Sequence, residues 1–148
     1  MGLDEIFDRL KDSVNNEKIS DAVDTIRQSY EKSKGSCKVV TYSKDDRSIA
    51  KGGMDGINEV LFCNDKAKIR SLLFCLDYYL DPYYKSPLPY ADELCVSLQK
   101  LLIQTRDDDI IDDICDLLSY GYDCSIVRDN LDDLKQDRLS DIRNILEI

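Results

Sequence analysis

The sequence lacks histidine and tryptophan altogether, and it contains only three prolines and six glycines among 148 residues. Without histidine, no mechanism can use imidazole as a base, a nucleophile or a metal ligand. No stretch approaches the roughly 18 uncharged apolar residues that a transmembrane helix needs. The N-terminus also lacks the basic start and apolar run of a secretory signal. We therefore expect a cytoplasmic protein that does not span a membrane.

The six cysteines form no C-x-x-C pair, the paired spacing that an all-cysteine zinc site normally shows. Four of them lie among apolar residues in helix-like segments, where a free thiol behaves as a small hydrophobic side chain. We predict reduced thiols, no metal and no other cofactor. The four are Cys63, Cys75, Cys95 and Cys115.

Negative charge is concentrated near the C-terminus. Residues 107–148 contain 13 acidic and four basic side chains, whereas residues 1–106 contain 17 and 16. Phosphate groups of a nucleic acid would be repelled by such a segment, and so would an anionic membrane surface. The sequence therefore predicts no direct binding of nucleic acid or membranes.

Apolar residues recur at three- and four-residue steps along most of the chain, which is the period of amphipathic helices. This pattern predicts an all-α domain over residues 1–148 with about eight short helices. We expect helices over 1–34, with Asn16 as an N-terminal cap. An extended or strand-like loop is expected over 35–53, with a glycine-rich turn at its end, and then a helical stack over 54–148.

An apolar stripe in the second half of the chain recurs 41 residues later, a period close to that of two-helix HEAT or armadillo units. A stack of such units and an irregular helical bundle both explain the stripes. The stripe is Ile69, Leu73 and Leu76 in the first copy, and Ile110, Ile114 and Leu117 in the second.

Aspartates crowd one face of the helix that is predicted to start at Asp108. Carboxylates in a first helical turn favour the positive end of the helix dipole, but the later ones form like-charge pairs at four-residue spacing, at a cost of roughly 0.2–0.5 kcal/mol each. No lysine or arginine occurs between residues 107 and 127. We therefore expect that these carboxylates have no counterion within the fold and that they bind an external partner. The alternative is a solvated face that serves solubility. The face comprises Asp109, Asp112, Asp113 and Asp116.

Asp129, Asp132 and Asp133 repeat this arrangement on a further predicted helix over 125–134, which Ser125 is expected to cap. Arg128 and Lys135 are expected to compensate part of their charge. If the two helices pack antiparallel, their carboxylates form one negative surface. Such a surface steers a basic partner and raises its association rate.

Tyrosines flank the two breaks next to these helices. Tyrosine offers a large contact area with a polar tip and is common at binding hot spots, so these tyrosines are candidates for binding a partner. The alternative is that their rings seal the edge of the core. The candidates are Tyr83 and Tyr84 in the proline-rich loop, and Tyr120 and Tyr122 beside the next break.

No set of potentially catalytic side chains has a recognisable spacing, and the calcium-loop pattern is absent. We therefore predict that the chain has no catalytic residues and is not an enzyme.

A small, acidic, histidine-free chain of short helices with Asp-rich segments such as 108–113 resembles the immunity proteins of bacterial toxin systems. The resemblance is strongest for those of contact-dependent growth inhibition, and residues 65–148 are closest to HEAT-like members. It implies a cytoplasmic, non-enzymatic inhibitor that binds one cognate basic toxin, often a nuclease such as a tRNase or DNase. The acidic surface would stand in for the phosphates of the substrate. The alternative is a HEAT-like adaptor that holds a helix or peptide of a larger complex.

Overall fold

The computed structural model describes residues 3–14, 16–33, 44–80 and 90–148. Every regular element in those ranges is helical, which confirms the predicted all-α class. None of the helices in these ranges is both long enough and apolar enough to cross a membrane. The α-helices are α1 (Leu3–Val14), α2 (Glu17–Ser33), α3 (Lys44–Leu61), α4 (Lys66–Leu80), α5 (Ala91–Gln104), α6 (Asp108–Leu118), α7 (Ser125–Arg128) and α8 (Leu139–Leu146), with 3-10 helices at Leu131–Asp133 and Gln136–Arg138.

The chain divides into two compact units, Met1–Ala91 (unit 1) and Asp92–Ile148 (unit 2). A single domain over residues 1–148 stays a prediction.

The described residues of unit 1 form four helices. Helix α1 packs against α2 and α4, and α3 packs against the same two helices. Asn16 caps α2 as predicted, because its Oδ1 accepts hydrogen bonds from the backbone N–H groups of Lys18 and Ile19 at 2.9 and 3.3 Å. The apolar stripes of the four helices form the core, with Leu10, Ile19, Ile26, Leu61, Leu72, Leu73, Leu76 and Leu80 almost fully buried.

The extended segment predicted for 35–53 is wrong over residues 44–53, which belong to α3, while residues 34–43 lie outside the described residues. The predicted glycine-rich turn is helical too. Glycine inside a helix costs about 1 kcal/mol relative to alanine, but here it allows α2 and α3 to approach closely. A Cβ atom at Gly53 would overlap the Cβ of Ala22, and one at Gly56 would lie 2.8 Å from Oδ1 of Asn16. Packing between helices therefore outweighs local propensity at these positions.

Unit 2 consists of α5, α6 and a C-terminal region of short helices, in which α8 packs against α6. The helix predicted over 125–134 is wrong beyond Arg128, because α7 has four residues and a 3-10 helix follows it. A shift of 41 residues places α6 on α4, but it places two 3-10 helices and the eight-residue α8 on α5. The stack of two-helix repeats therefore stays a prediction. The most deeply buried side chains of unit 2 include Leu94, Leu98, Leu102, Ile111, Ile114, Cys115, Val127 and Ile142.

Candidate acidic interface

Helix α6 displays its aspartates opposite the face that it buries. Asp107 caps the helix, because its Oδ1 accepts hydrogen bonds from the N–H groups of Asp109 and Ile110 at 3.0 and 3.1 Å. The predicted acidic face is therefore real. Of its members, Asp109, Asp112 and Asp116 are exposed and Asp113 is half-buried.

The prediction that this face lacks internal counterions is wrong. Arg138, whose side chain is only 16% exposed, donates from Nη2 to Oδ1 of Asp112 at 2.5 Å and from Nη1 to Oδ1 of Asp108 at 3.2 Å. Its Nε donates to Oδ2 of Asp141 at 3.2 Å. Arg138 therefore joins α6 to the start of α8. The other three members of the face also have interaction partners; they are Asp109, Asp113 and Asp116.

Lys135 adds a second cation to the same edge of α6. Its Nζ lies 2.8 Å from Oδ1 of Asp108 and 3.7 Å from Oδ2 of Asp137. The hydrogen bonds from Lys135 and then from Arg138 lower the pKa of Asp108. Conversely, the hydrogen bond to Asp108 raises the pKa of Lys135. Both cations lie 26–30 residues from the aspartates of α6 that they contact, so no local spacing rule could have found these contacts.

In the second predicted row, Asp129 directly follows α7, whereas Asp132 and Asp133 lie on a short 3-10 helix whose backbone is held by two polar side chains. Nη2 of Arg106 donates to the carbonyl oxygen of Asp133 at 2.9 Å. Nε2 of Gln136 donates to the carbonyl oxygens of Leu131, Asp132 and Leu134 at 3.2, 3.1 and 2.8 Å. These contacts fix the carbonyl groups, while the carboxylates of Asp132 and Asp133 remain exposed.

The two predicted rows are not joined into one uniform negative surface. Lys135 and Arg138 lie in the chain just after the 3-10 turn and contact the edge of α6 formed by Asp108 and Asp112. Within the part of the chain that the structure describes, no cation contacts the carboxylates of Asp132 and Asp133. The carboxylate of Asp129 lies near the neighbouring Arg128, whose Nε is 3.9 Å from its Oδ1. The second row therefore contains two carboxylates, those of Asp132 and Asp133, that no cation contacts among the described residues.

Two of the four tyrosine candidates lie within the described residues. Tyr120 lies in the turn that ends α6, and Tyr122 follows Gly121, whose φ of 99° belongs to the left-handed region. Both tyrosines are half-buried and already have interaction partners. Tyr83 and Tyr84 lie outside the described residues.

Gln99 is a residue that the sequence analysis missed. It is 1% exposed, and its Oε1 accepts hydrogen bonds from the N–H groups of Ile126 and Val127 at 2.9 and 3.2 Å. Gln99 of α5 thus caps α7, the role predicted for Ser125, whose hydroxyl instead donates to Asp123 at 2.6 Å. The sequence does give one sign of this role, because Gln99 is an amide at a position on the otherwise largely apolar buried stripe of α5.

The described cysteines are free thiols, and burial raises the pKa of Cys95 and of Cys115 to about 12. At neutral pH both are protonated, which makes them poor nucleophiles and poor metal ligands. Among the described residues, no group of three or more acidic or cysteine side chains could hold a metal ion.

Comparison with family models, with curated proteins and with solved structures finds no match.

Proposed function

We propose that the chain is a non-enzymatic inhibitor of the bacterial immunity type, which acts in the cytoplasm and neutralises one cognate basic toxin. The observation that carries the proposal is the charge of unit 2, where 15 acidic residues stand against six basic ones. Such a surplus attracts a basic partner and repels nucleic acid.

The contact region is centred on Asp129, Asp132 and Asp133. Their carboxylates are exposed, while Arg106 and Gln136 hold the backbone that carries Asp132 and Asp133. A rigid display of charge lowers the entropy that is lost on binding. Asp112 has a different role in this proposal, because its bond to Arg138 supports the fold of unit 2.

A basic groove that binds nucleic acid is the matching surface on a nuclease toxin. Carboxylates seated in that groove would occupy the positions of substrate phosphates. Charge complementarity of this kind mainly increases the association rate and selects against wrong partners.

The competing proposal is an adaptor that binds a helix or peptide of a larger complex. Binding to an adaptor through an apolar surface would depend weakly on salt, whereas binding through the carboxylates of unit 2 would weaken as salt screens them. The salt dependence of binding therefore distinguishes the two proposals.

Calorimetry of the full chain against the product of the gene immediately upstream tests the proposal, because immunity genes directly follow their toxin genes. We expect one-to-one binding and loss of the toxin's activity on addition of the chain. The double variant D132N/D133N should bind at least about tenfold more weakly, a change of about 1.4 kcal/mol.

The matched control removes two exposed carboxylates from unit 1. Asp12 and Asp45 are both exposed, so D12N/D45N changes the net charge by the same amount and should bind like the natural chain. Equal weakening by the two double variants would show that only overall charge matters. Absence of binding to the upstream product would remove the inhibitor proposal.

A further inference from the structure

Tyr90 has an unusual backbone conformation at the end of unit 1. Its φ is 67°, in the left-handed region, which bulky side chains rarely adopt. For an L-residue this conformation is disfavoured by roughly 5- to 30-fold. A residue is held in such a state only when its surroundings favour it.

The structure provides one such contact from within the same unit. The guanidinium carbon of Arg47, near the start of α3, lies 5.5 Å from the centroid of the Tyr90 ring. A cation over an aromatic face at this distance favours the contact by roughly two- to fivefold when the site is exposed, and by more when it is partly desolvated. Arg47 is exposed and Tyr90 is half-buried.

Stacking opposes the strain at Tyr90 and offsets part of it. We propose that Arg47 and Tyr90 form a conformational latch, in which stacking of the guanidinium helps to hold the left-handed backbone at Tyr90. When Arg47 withdraws, Tyr90 relaxes to a right-handed or extended conformation and the Tyr90–Ala91 peptide bond becomes accessible. This latch is independent of the proposed toxin binding.

Limited digestion of the full chain with chymotrypsin, which cleaves after tyrosine, tests the latch through the rate of cleavage after Tyr90. Cleavage after Tyr90, resolved by mass spectrometry, should be about two- to fivefold faster in R47A than in the natural chain. Lys44 is another exposed cation of α3, and K44A should leave that rate unchanged. An unchanged rate in R47A, or a rise of the same size at every cleavage site, would overturn the proposal.

A double-mutant cycle separates the latch from a general effect of Arg47 on stability. Glycine adopts the left-handed backbone without strain and has no ring, so Y90G removes both opposing effects. R47A should lower the equilibrium constant for folding by about two- to fivefold in the natural chain, and by less than about 1.5-fold in Y90G. Equal effects in the two backgrounds would show that Arg47 does not act through Tyr90.

Discussion

The guanidinium of Arg138 lies 2.5 Å from the carboxylate of Asp112, and this pair ties the residue before α8 to the acidic face of α6. The same guanidinium also contacts Asp108 and Asp141. One cation therefore organises three carboxylates that would otherwise repel one another.

Replacing Arg138 should destabilise unit 2. R138A leaves three carboxylates without their shared donor, and hydrogen bonds to charged groups contribute roughly 1.5–3 kcal/mol. We expect the free energy of unfolding, measured by urea denaturation, to fall by about 2 kcal/mol. R138K should recover only part of this loss, because an ammonium cannot reproduce the planar fork.

Arg143 of α8 supplies the control for that experiment. It is exposed, and among the described residues its side chain donates to the carbonyl oxygen of Ile148 alone, at 3.2 Å. R143A should change stability by no more than about 0.5 kcal/mol. Equal losses for R138A and R143A would contradict the role assigned to Arg138.

Two adjacent glycines of α3 should respond to alanine in opposite directions. A Cβ at Gly53 would overlap Ala22, so G53A should lower the free energy of unfolding by about 1–3 kcal/mol. A Cβ at Gly52 meets no atom within 4 Å, so G52A should raise it by roughly 0.5–1 kcal/mol through helix propensity. Thermal denaturation of the two variants checks the close approach of α2 and α3, and the same sign for both would refute it.

Gln99 should matter more for local order than for global stability. Q99L removes the acceptor of two N–H groups, but it also removes a buried Nε2 that has no hydrogen-bond partner among the described residues. We expect a loss of only about 1 kcal/mol in the free energy of unfolding. Hydrogen exchange of the Ile126 and Val127 amides should nevertheless be at least about tenfold faster.

The exposed Gln104 at the end of α5 provides the comparison for Gln99. Q104L should leave both exchange rates unchanged. Unaltered exchange in Q99L would mean that the amide of Gln99 does not cap α7.

The contacts of Asp108 predict how stability depends on pH. Because its pKa is lowered in the folded chain, its ionised form stabilises the fold above the unfolded value of about 3.9. That contribution is lost as pH falls through the lower, folded pKa. The difference in unfolding free energy between the natural chain and D108N should be constant above about pH 5 and shrink below about pH 4. A difference that does not vary with pH would contradict the ion pairs of Asp108.

Local rules predicted the features that depend on neighbouring residues. The helical class follows from apolar periodicity, the cap of α2 from Asn16, and the acidic face of α6 from the spacing of its aspartates. Each of these involves residues within about one helical turn of each other.

The remaining features depend on contacts between distant parts of the chain. Arg138 reaches Asp112 across 26 residues, and Gln99 reaches Val127 across 28. Gly53 is compatible with α3 because Ala22 of another helix lies against it. One sequence gives no sign of such partners, and for that reason the acidic face was wrongly predicted to lack them.

The most direct test of the central claim is the association rate between the chain and the product of the upstream gene, measured at about 50 and about 500 mM NaCl, between which salt screening increases strongly. We predict a steep fall with salt for the natural chain and for D12N/D45N. For D132N/D133N, we predict an association rate roughly tenfold lower at the lower salt concentration and a weaker salt dependence. Identical rates and salt dependences for all three chains would contradict the claim that the exposed carboxylates of unit 2 recruit a basic partner.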